Sequence, residues 1–198
     1  MSAPPRLLVA THNAHKLREL GRLLPGVALD PLPPGAESPE ETGETYAENA
    51  LIKARAAARA TGRAAIADDS GIEAEALAWR PGVRTARYAG PDATDQENLD
   101  KLHRQAPAGS RARYVCVVAH VTPDGEEHLF EGRCTGTLAP EPRGAGGFGY
   151  DPLFVPDEAP GRTMAELSDA DKDAISHRGR AARALLAWLD EPAAVRTG

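Results

Sequence analysis

The 198-residue sequence has few aromatic residues, few cysteines and no long apolar run. Phe, Trp and Tyr make up 5% of the chain, and Cys116 and Cys134 are its two cysteines. Because they form neither a CxxC pair nor a zinc spacing, we expect two reduced, buried thiols. A membrane span needs about 20 consecutive apolar residues, and a secretion signal needs an apolar core, and the sequence has neither. We therefore expect a cytoplasmic protein without a membrane partner.

The sequence also has fewer positively than negatively charged residues. Lys and Arg number 23 against 29 Asp and Glu, so the formal net charge is -6 at pH 7. This balance argues against a nucleic acid as the partner. Arg55, Arg59 and Arg63 still form a local group, which is compatible with a small anionic ligand. The length and the 41% hydrophobic content are typical of one globular core, and we predict a single domain over residues 1–198.

Apolar periodicity predicts strands and helices in a mixed order. Asn13 is a suitable N-cap for the first helix, and Thr45 with Glu48 matches a capping box at the start of the second. Early alternation of strands and helices, followed by a hairpin, predicts an α/β fold with a long mixed β-sheet flanked by helices. The predicted elements are a strand over 6–11, helices over 14–24, 45–61 and 94–105, a hairpin of strands 113–121 and 127–138, and a final helix after Ser176.

The segment Ala67–Gly71, reading ADDSG, is predicted to end a buried strand with two adjacent carboxylates. A buried charge must be paired, hydrogen-bonded or metal-bound. Successive side chains of a strand point to opposite faces, so Asp68 and Asp69 are expected to have different partners. One of the two is predicted to face a site, and the other to hold the backbone in place.

Two other segments carry groups suited to phosphate and metal. Residues 10–16 (ATHNAHK) lie at a strand-to-helix junction, where free N–H groups and the helix dipole favour phosphate, although capping alone also explains Asn13. The acidic loop 40–44 is either simply solvated or completes a Mg²⁺ site with the ADDSG carboxylates. Tyr46, Asn49 and Lys53 share one face of an alanine-rich helix, and a ligand site would explain this polar set there.

Two late segments indicate recognition of a base. Residues 144–154 contain a G-x-G-x-x-G match, but the Asp-Pro that follows cannot open the helix that a dinucleotide fingerprint requires. This segment is either a buried turn or a loop that presents aromatic rings for base stacking. In residues 172–178, Lys172 and Arg178 are donors without acceptors and suit a ring with oxo groups, although a polar helix start is the alternative. Together these segments indicate a nucleotide ligand.

Six motifs together resemble the inosine/xanthosine triphosphate pyrophosphatase family. They run in order over almost the whole chain: THNAHKLREL, EETGETYAENALIKA, AIADDSG, PGVRTARYAG, GGFGYDPLF and AELSDADKDAISHRG. The resemblance implies hydrolysis of non-canonical purine nucleoside triphosphates (ITP, dITP, XTP) to the monophosphate and pyrophosphate. It also implies two lobes with a central active-site cleft, Mg²⁺ as cofactor and a homodimer. Pyrophosphatases for modified pyrimidine nucleotides and nucleotide sensors without turnover are the alternatives.

The resemblance also implies roles for individual residues. Asp69 would face the site as the proton acceptor and a Mg²⁺ ligand, with Glu40, or the adjacent Glu41, as the second carboxylate. Asp68 would point away and hold a turn through backbone N–H groups, and Gly71 would allow that turn to be sharp. Lys53 would be an additional phosphate contact. The residues that would bind the phosphates are Thr11, His12, Asn13, Ala14, His15 and Lys16. Ser70 would also contact the substrate. The residues that would bind the base are Phe148, Gly149, Tyr150, Asp151, Lys172, His177 and Arg178.

Overall fold

The computed structural model describes residues 5–191 and shows an α/β fold with a seven-stranded mixed sheet. Along the sheet the strands are ordered β2-β1-β3-β5-β6-β7, and β4 pairs with β3. Strand β1 pairs in parallel with β2 and β3, whereas β4 and β7 pair antiparallel to β3 and β6. The predicted mixed sheet is therefore confirmed. The strands are β1 (Arg6–Val9), β2 (Ala28–Pro31), β3 (Ala65–Ala74), β4 (Arg80–Pro81), β5 (Arg111–Val121), β6 (Glu127–Leu138) and β7 (Phe154–Pro156).

Side-chain caps set the starts of the helices, as their sequences predict. Asn13 caps α1, and Thr45 and Thr94 each form a capping box with a glutamate three residues on. The Oγ of Ser176 accepts a backbone N–H at the start of α5. Helix α4 was not expected, because seven largely polar residues show no apolar periodicity. The helices are α1 (Ala14–Leu23), α2 (Tyr46–Thr61), α3 (Asp95–Gln105), α4 (Asp169–Ile175) and α5 (His177–Asp190).

The chain divides into two compact units, each with its own apolar interior. Among the described residues, unit 1 comprises 5–69, 117–131 and 180–191, and unit 2 comprises 70–116 and 132–179. In unit 1 the small side chains of α2 lie in a core cluster with residues of β1, β3 and β5. Unit 2 has a larger cluster that includes aromatic residues. The predicted cleft between two lobes stays a prediction, and both ends of the predicted 1–198 domain lie outside the described residues.

Two expectations drawn from composition can be compared with the structure. Cys116 and Cys134 are both buried thiols outside any disulfide, as expected. Within residues 5–191, no helix combines the length and the apolar character that are needed to cross a bilayer.

The predicted end of a strand at ADDSG is wrong. Strand β3 runs through Asp68, Asp69, Ser70 and Gly71 and ends at Ala74, so Gly71 makes no turn there. A prediction from apolar periodicity ends a strand at the first charged residue. The strand itself can continue past that residue if each buried charge finds a partner. The partners in this case come from helices that lie far away in sequence.

Candidate functional site

The first aspartate of β3 pairs with the lysine of the predicted phosphate loop. Oδ2 of Asp68 lies 3.0 Å from Nζ of Lys16, and the side chain of Asp68 is completely buried. Lys16 stands in the first turn of α1, directly after β1. The expectation that Asp68 holds a backbone turn is therefore wrong, because the strand continues and the carboxylate has a cationic partner instead.

The second aspartate lies at the centre of a polar cluster, which also includes α2 and the acidic loop. Nδ2 of Asn49 donates to Oδ2 of Asp69 at 3.2 Å. Nζ of Lys53 lies 3.6 Å from Oδ1 of Asp69 and 2.6 Å from Oε1 of Glu41. Oδ1 of Asn49 also accepts the N–H of Gly43 at 2.8 Å. One fully buried amide thus connects the acidic loop to Asp69.

Burial and nearby charges set the protonation of this cluster. Burial raises the pKa of Asp69, and the charges of Lys53 and Lys16 offset that effect only in part. Burial also lowers the pKa of Lys53, but the surrounding carboxylates, chiefly Asp69, outweigh burial, so that its pKa is raised. Lys53 is therefore a firm cation near pH 7. The raised pKa of Asp69 suits a group that must accept a proton at that pH.

The donor set around Lys53 fits a hard divalent cation. Carboxylate oxygens of Asp69 and Glu41 converge on one positive charge, the ammonium group of Lys53. Mg²⁺ commonly takes one or two carboxylates and completes its shell with waters and phosphate oxygens. In the described part of the chain, no group of three or more His, Cys, Asp or Glu side chains could hold a metal ion. Glu40 is exposed, so Glu41 is the better placed of the two neighbouring glutamates.

In unit 2, buried polar groups surround the ring of Phe148. Oδ2 of Asp151 accepts from Nζ of Lys172 at 2.6 Å and from the N–H of Phe148 at 2.9 Å. Nζ of Lys172 and Cζ of Arg178 lie 5.1 and 5.6 Å from the centroid of the Phe148 ring. Arg178 is 1% exposed and donates to Oγ of Ser70 at 2.9 Å. This group combines a stacking ring with cationic donors, which suits a planar ligand with acceptor oxygens.

The predicted phosphate loop is organised around the cap of α1. Oδ1 of Asn13 accepts the N–H groups of His15 and Lys16 at 2.9 and 3.2 Å. Oγ1 of Thr11 accepts the N–H of Asn13 at 3.1 Å. Capping therefore explains Asn13, as the alternative interpretation stated, while Lys16 also reaches Asp68. The exposed members of the loop are His12, Asn13, Ala14 and His15.

Known proteins similar to this chain identify its family. A family model described as the Ham1 family matches residues 7–188. The chain belongs to the Ham1 family. It is 49% identical over 192 residues to the dITP/XTP pyrophosphatase of Cutibacterium acnes, and the matched region covers 91% of this chain and 94% of that protein.

Solved structures agree with this membership of the Ham1 family. A HAM1 protein from Coxiella burnetii matches with a TM-score of 0.82 and 40% identity, over 95% of this chain and 100% of that one. A nucleoside-triphosphatase / dITP/XTP pyrophosphatase from Mycobacterium abscessus matches with a TM-score of 0.73 and 48% identity, over 91% and 98%. The family resemblance that the six motifs carry is confirmed.

The structure of this Ham1 family chain brings most of the predicted polar site residues into two groups. Unit 1 joins Lys16 to Asp68, and Asp69 to Lys53. Unit 2 groups Phe148, Asp151 and Lys172, and it pairs Ser70 with Arg178. The predicted base loop has further contacts: Gly149 N–H donates to Asp95 at 3.2 Å, and the Tyr150 hydroxyl donates to the Thr85 carbonyl at 2.8 Å.

Two residues that contact this machinery, Asp95 and Tyr114, were not expected from the sequence, and neither was the bond that Asn49 makes. The position of Asn49 on the helix face of Lys53 is a signal in the sequence, although it did not indicate a bond to Asp69. Asp95 and Tyr114 carry no such signal. Tyr114 reads as one more apolar position of a strand, and its contact with His177 joins residues far apart in the chain.

Gly147→Ala is expected to disrupt the Asp151–Lys172 pair. Gly147 has φ +69°, and a Cβ there would collide with Oδ2 of Asp151 and lie 3.0 Å from Nζ of Lys172. We expect the free energy of unfolding to fall by about 2–4 kcal/mol, from backbone strain plus a disturbed buried pair. The measurement is urea unfolding. In the control Gly161→Ala, φ is +83° with open space at the Cβ, and we expect a loss of about 1 kcal/mol. Equal losses would contradict the collision.

Proposed function

We propose that this protein hydrolyses non-canonical purine nucleoside triphosphates (ITP, dITP and XTP) to the nucleoside monophosphate and pyrophosphate. The observation that carries the proposal is the cluster at Asp69, in which a carboxylate of raised pKa lies beside Lys53 and Glu41. Such a cluster supplies both a proton acceptor and a cation for phosphate oxygens. Relatives named dITP/XTP pyrophosphatase, which cover nine tenths of the chain, support the substrate class.

In the proposed reaction, Asp69 accepts a proton from the attacking water. The water oxygen bonds to the α-phosphorus, the bond from that phosphorus to the bridging oxygen breaks, and pyrophosphate leaves. Lys16 and Lys53 bind phosphate oxygens and neutralise the charge that builds up on them. Asn49 holds the Asp69 carboxylate in orientation through its hydrogen bond. The loop residues Thr11 to His15 present Lys16 and the first turn of α1 to the phosphates.

We also propose Mg²⁺ as the cofactor, with Asp69 and Glu41 as its carboxylate ligands. When bound, Mg²⁺ would neutralise negative charge on the phosphates. Asp69 and Glu41 fit this ion because both already converge on the ammonium group of Lys53. Glu40 is the alternative ligand from the family motif. The homodimer that the resemblance implies and the cytoplasmic location expected from the sequence belong to the same proposal.

The base would be read by the groups around Phe148 in unit 2. Phe148 offers a stacking face, and Lys172 and Arg178 offer donors to the oxo groups of hypoxanthine or xanthine. In adenine, the 6-amino group is itself a hydrogen-bond donor, so it could not accept from Lys172 or Arg178. Buried donors left unpaired penalise the wrong base strongly, so ATP should be a poor substrate. Ser70, Gly149, Tyr150, Asp151 and His177 complete the proposed substrate-binding set.

Product analysis tests this function. The purified protein is incubated with Mg²⁺ and ITP, XTP or ATP, and pyrophosphate and orthophosphate are scored separately. We expect pyrophosphate from ITP and XTP, and a kcat/KM for ATP that is lower by about 10²-fold or more. Release of orthophosphate would place the attack at the γ-phosphorus and contradict the mechanism. Binding of ITP without any product would contradict hydrolysis altogether.

A further inference from the structure

Tyr114 is a buried aromatic residue of β5 that packs flat against His177. The two ring centroids are 4.5 Å apart and the ring planes differ by 7°, which is a stacked arrangement. Phe154 packs edge-on with Tyr114, with ring centroids 4.8 Å apart and ring planes at 66°. Tyr114 is 6% exposed, so its ring is held by the core of unit 2 and in turn defines the plane of the His177 imidazole.

The hydroxyl of Tyr114 reaches the same carboxylate that organises the Phe148 group. It is hydrogen-bonded to Asp151, whose Oδ2 also accepts from Lys172 and from the N–H of Phe148. Burial, together with the charge of Asp151, raises the pKa of Tyr114 well above its ordinary value. The phenol is therefore protonated across the physiological pH range and donates to Asp151. With a further donor, the carboxylate has less freedom to rotate.

We propose that Tyr114 is a positioning residue for base recognition, acting on His177 through its ring and on Lys172 and Phe148 through Asp151. The inference rests on the proposed function, since it concerns the base that the site selects. Tyr114 need not touch the nucleotide to have this effect. Tyr114 of β5 contacts His177 of α5 directly, and it is linked to Lys172 of α4 through Asp151.

The physical link to selectivity is the rigidity of the donors. A site rejects adenine only if its donors stay in place and remain unpaired when the wrong base is bound. If Asp151 can rotate, Lys172 can move away and be solvated, and the penalty against adenine falls. The same freedom weakens binding of the correct base. Loss of the Tyr114 hydroxyl should thus lower the preference for oxo-purines and raise KM more than it lowers kcat.

Tyr114→Phe is the direct test, because it keeps the stacked ring and removes only the hydroxyl. We expect the ratio of kcat/KM for ITP to kcat/KM for ATP to fall about tenfold. The KM for ITP should carry most of the change and kcat should stay within about threefold, because the side chains that hold Asp69 are Asn49 and Lys53, not Asp151. Calorimetric titration with IMP and AMP should show the same effect, as a smaller difference between the affinities for the two nucleotides.

Two variants separate positioning from general stability. Tyr88→Phe removes a phenol hydroxyl that donates to Gln105, outside the Phe148 group, and should leave the ratio unchanged. Phe154→Leu loosens the packing around the Tyr114 ring but keeps its hydroxyl, so it should lower the melting temperature and reduce the ITP/ATP ratio by less than Tyr114→Phe does. A Tyr114→Phe enzyme with the wild-type ratio would overturn this inference alone. A wild-type enzyme that does not distinguish ITP from ATP would overturn the proposed function, and the inference with it.

Discussion

Asp69→Asn is expected to lower kcat for ITP hydrolysis by about 10²–10⁴-fold while the fold stays intact. The amide has the shape of the carboxylate but cannot accept the proton of the attacking water. The substitution also removes one of the two carboxylate charges that converge on Lys53. Steady-state kinetics with saturating Mg²⁺ give kcat, and a thermal melt checks the fold. Because burial raises the pKa of Asp69, its ionised carboxylate destabilises the native state relative to the unfolded state near pH 7, so its removal should cost little stability.

The pH profile gives a second view of Asp69. A proton acceptor works only when it is ionised, so in the wild type kcat/KM should rise as the pH increases through the raised pKa of Asp69. In Asp69→Asn this rising limb should disappear. Asp30→Asn is a matched control in the same unit, because Asp30 pairs with Arg6 and Arg63 instead of the cluster. Near-wild-type turnover in Asp69→Asn, or an equal loss in Asp30→Asn, would contradict the assigned role.

Lys172→Met is expected to lower the free energy of unfolding by about 3–5 kcal/mol and to abolish the preference for ITP over ATP. Nζ of Lys172 lies 2.6 Å from Oδ2 of Asp151, and the two side chains are 5% and 4% exposed. Methionine fills a similar volume, but it leaves the buried Asp151 carboxylate without its ammonium partner. Urea unfolding measures the stability, and the ratio of kcat/KM values measures the preference.

Two comparisons make the Lys172 prediction specific. Arg111→Met breaks an ion pair with Asp157 whose side chains are 49% and 43% exposed, and it should cost less than about 1 kcal/mol. The double variant Lys172→Met/Asp151→Leu removes both charges, so it should regain stability relative to Lys172→Met but not base preference. If Lys172→Met costs no more than Arg111→Met, the pair contributes little and Lys172 is not a buried anchor.

The features predicted correctly from the sequence are those that depend on residues close together in the chain. The caps at Asn13 and Thr45 form as expected, because each side chain bonds to backbone two or three residues away. The hairpin of β5 and β6 likewise follows from two strand patterns around a Pro-Asp-Gly turn. The six motifs carried the family resemblance, since their residue types and order are properties of the sequence itself.

The errors concern residues whose surroundings come from distant parts of the chain. Asp68 was expected to hold a turn, but Lys16 pairs with it and β3 continues. Lys172 could be read as part of a polar surface helix, but the structure buries it against Asp151. A charged residue in a short polar segment shows no sign of burial until a partner from another element is in place.

The sequence by itself determined the helix starts, the strand pattern, the mixed sheet and the Ham1 family, because all of these follow from local periodicity, capping and residue order. The tertiary structure alone decided that Asn49 bonds to Asp69, that Glu41 reaches Lys53, and that Tyr114 contacts Asp151 and His177. These contacts depend on burial and on pairings between separate elements. A hydrogen bond or ion pair of this kind gains its strength from exclusion of water, which only the folded chain provides.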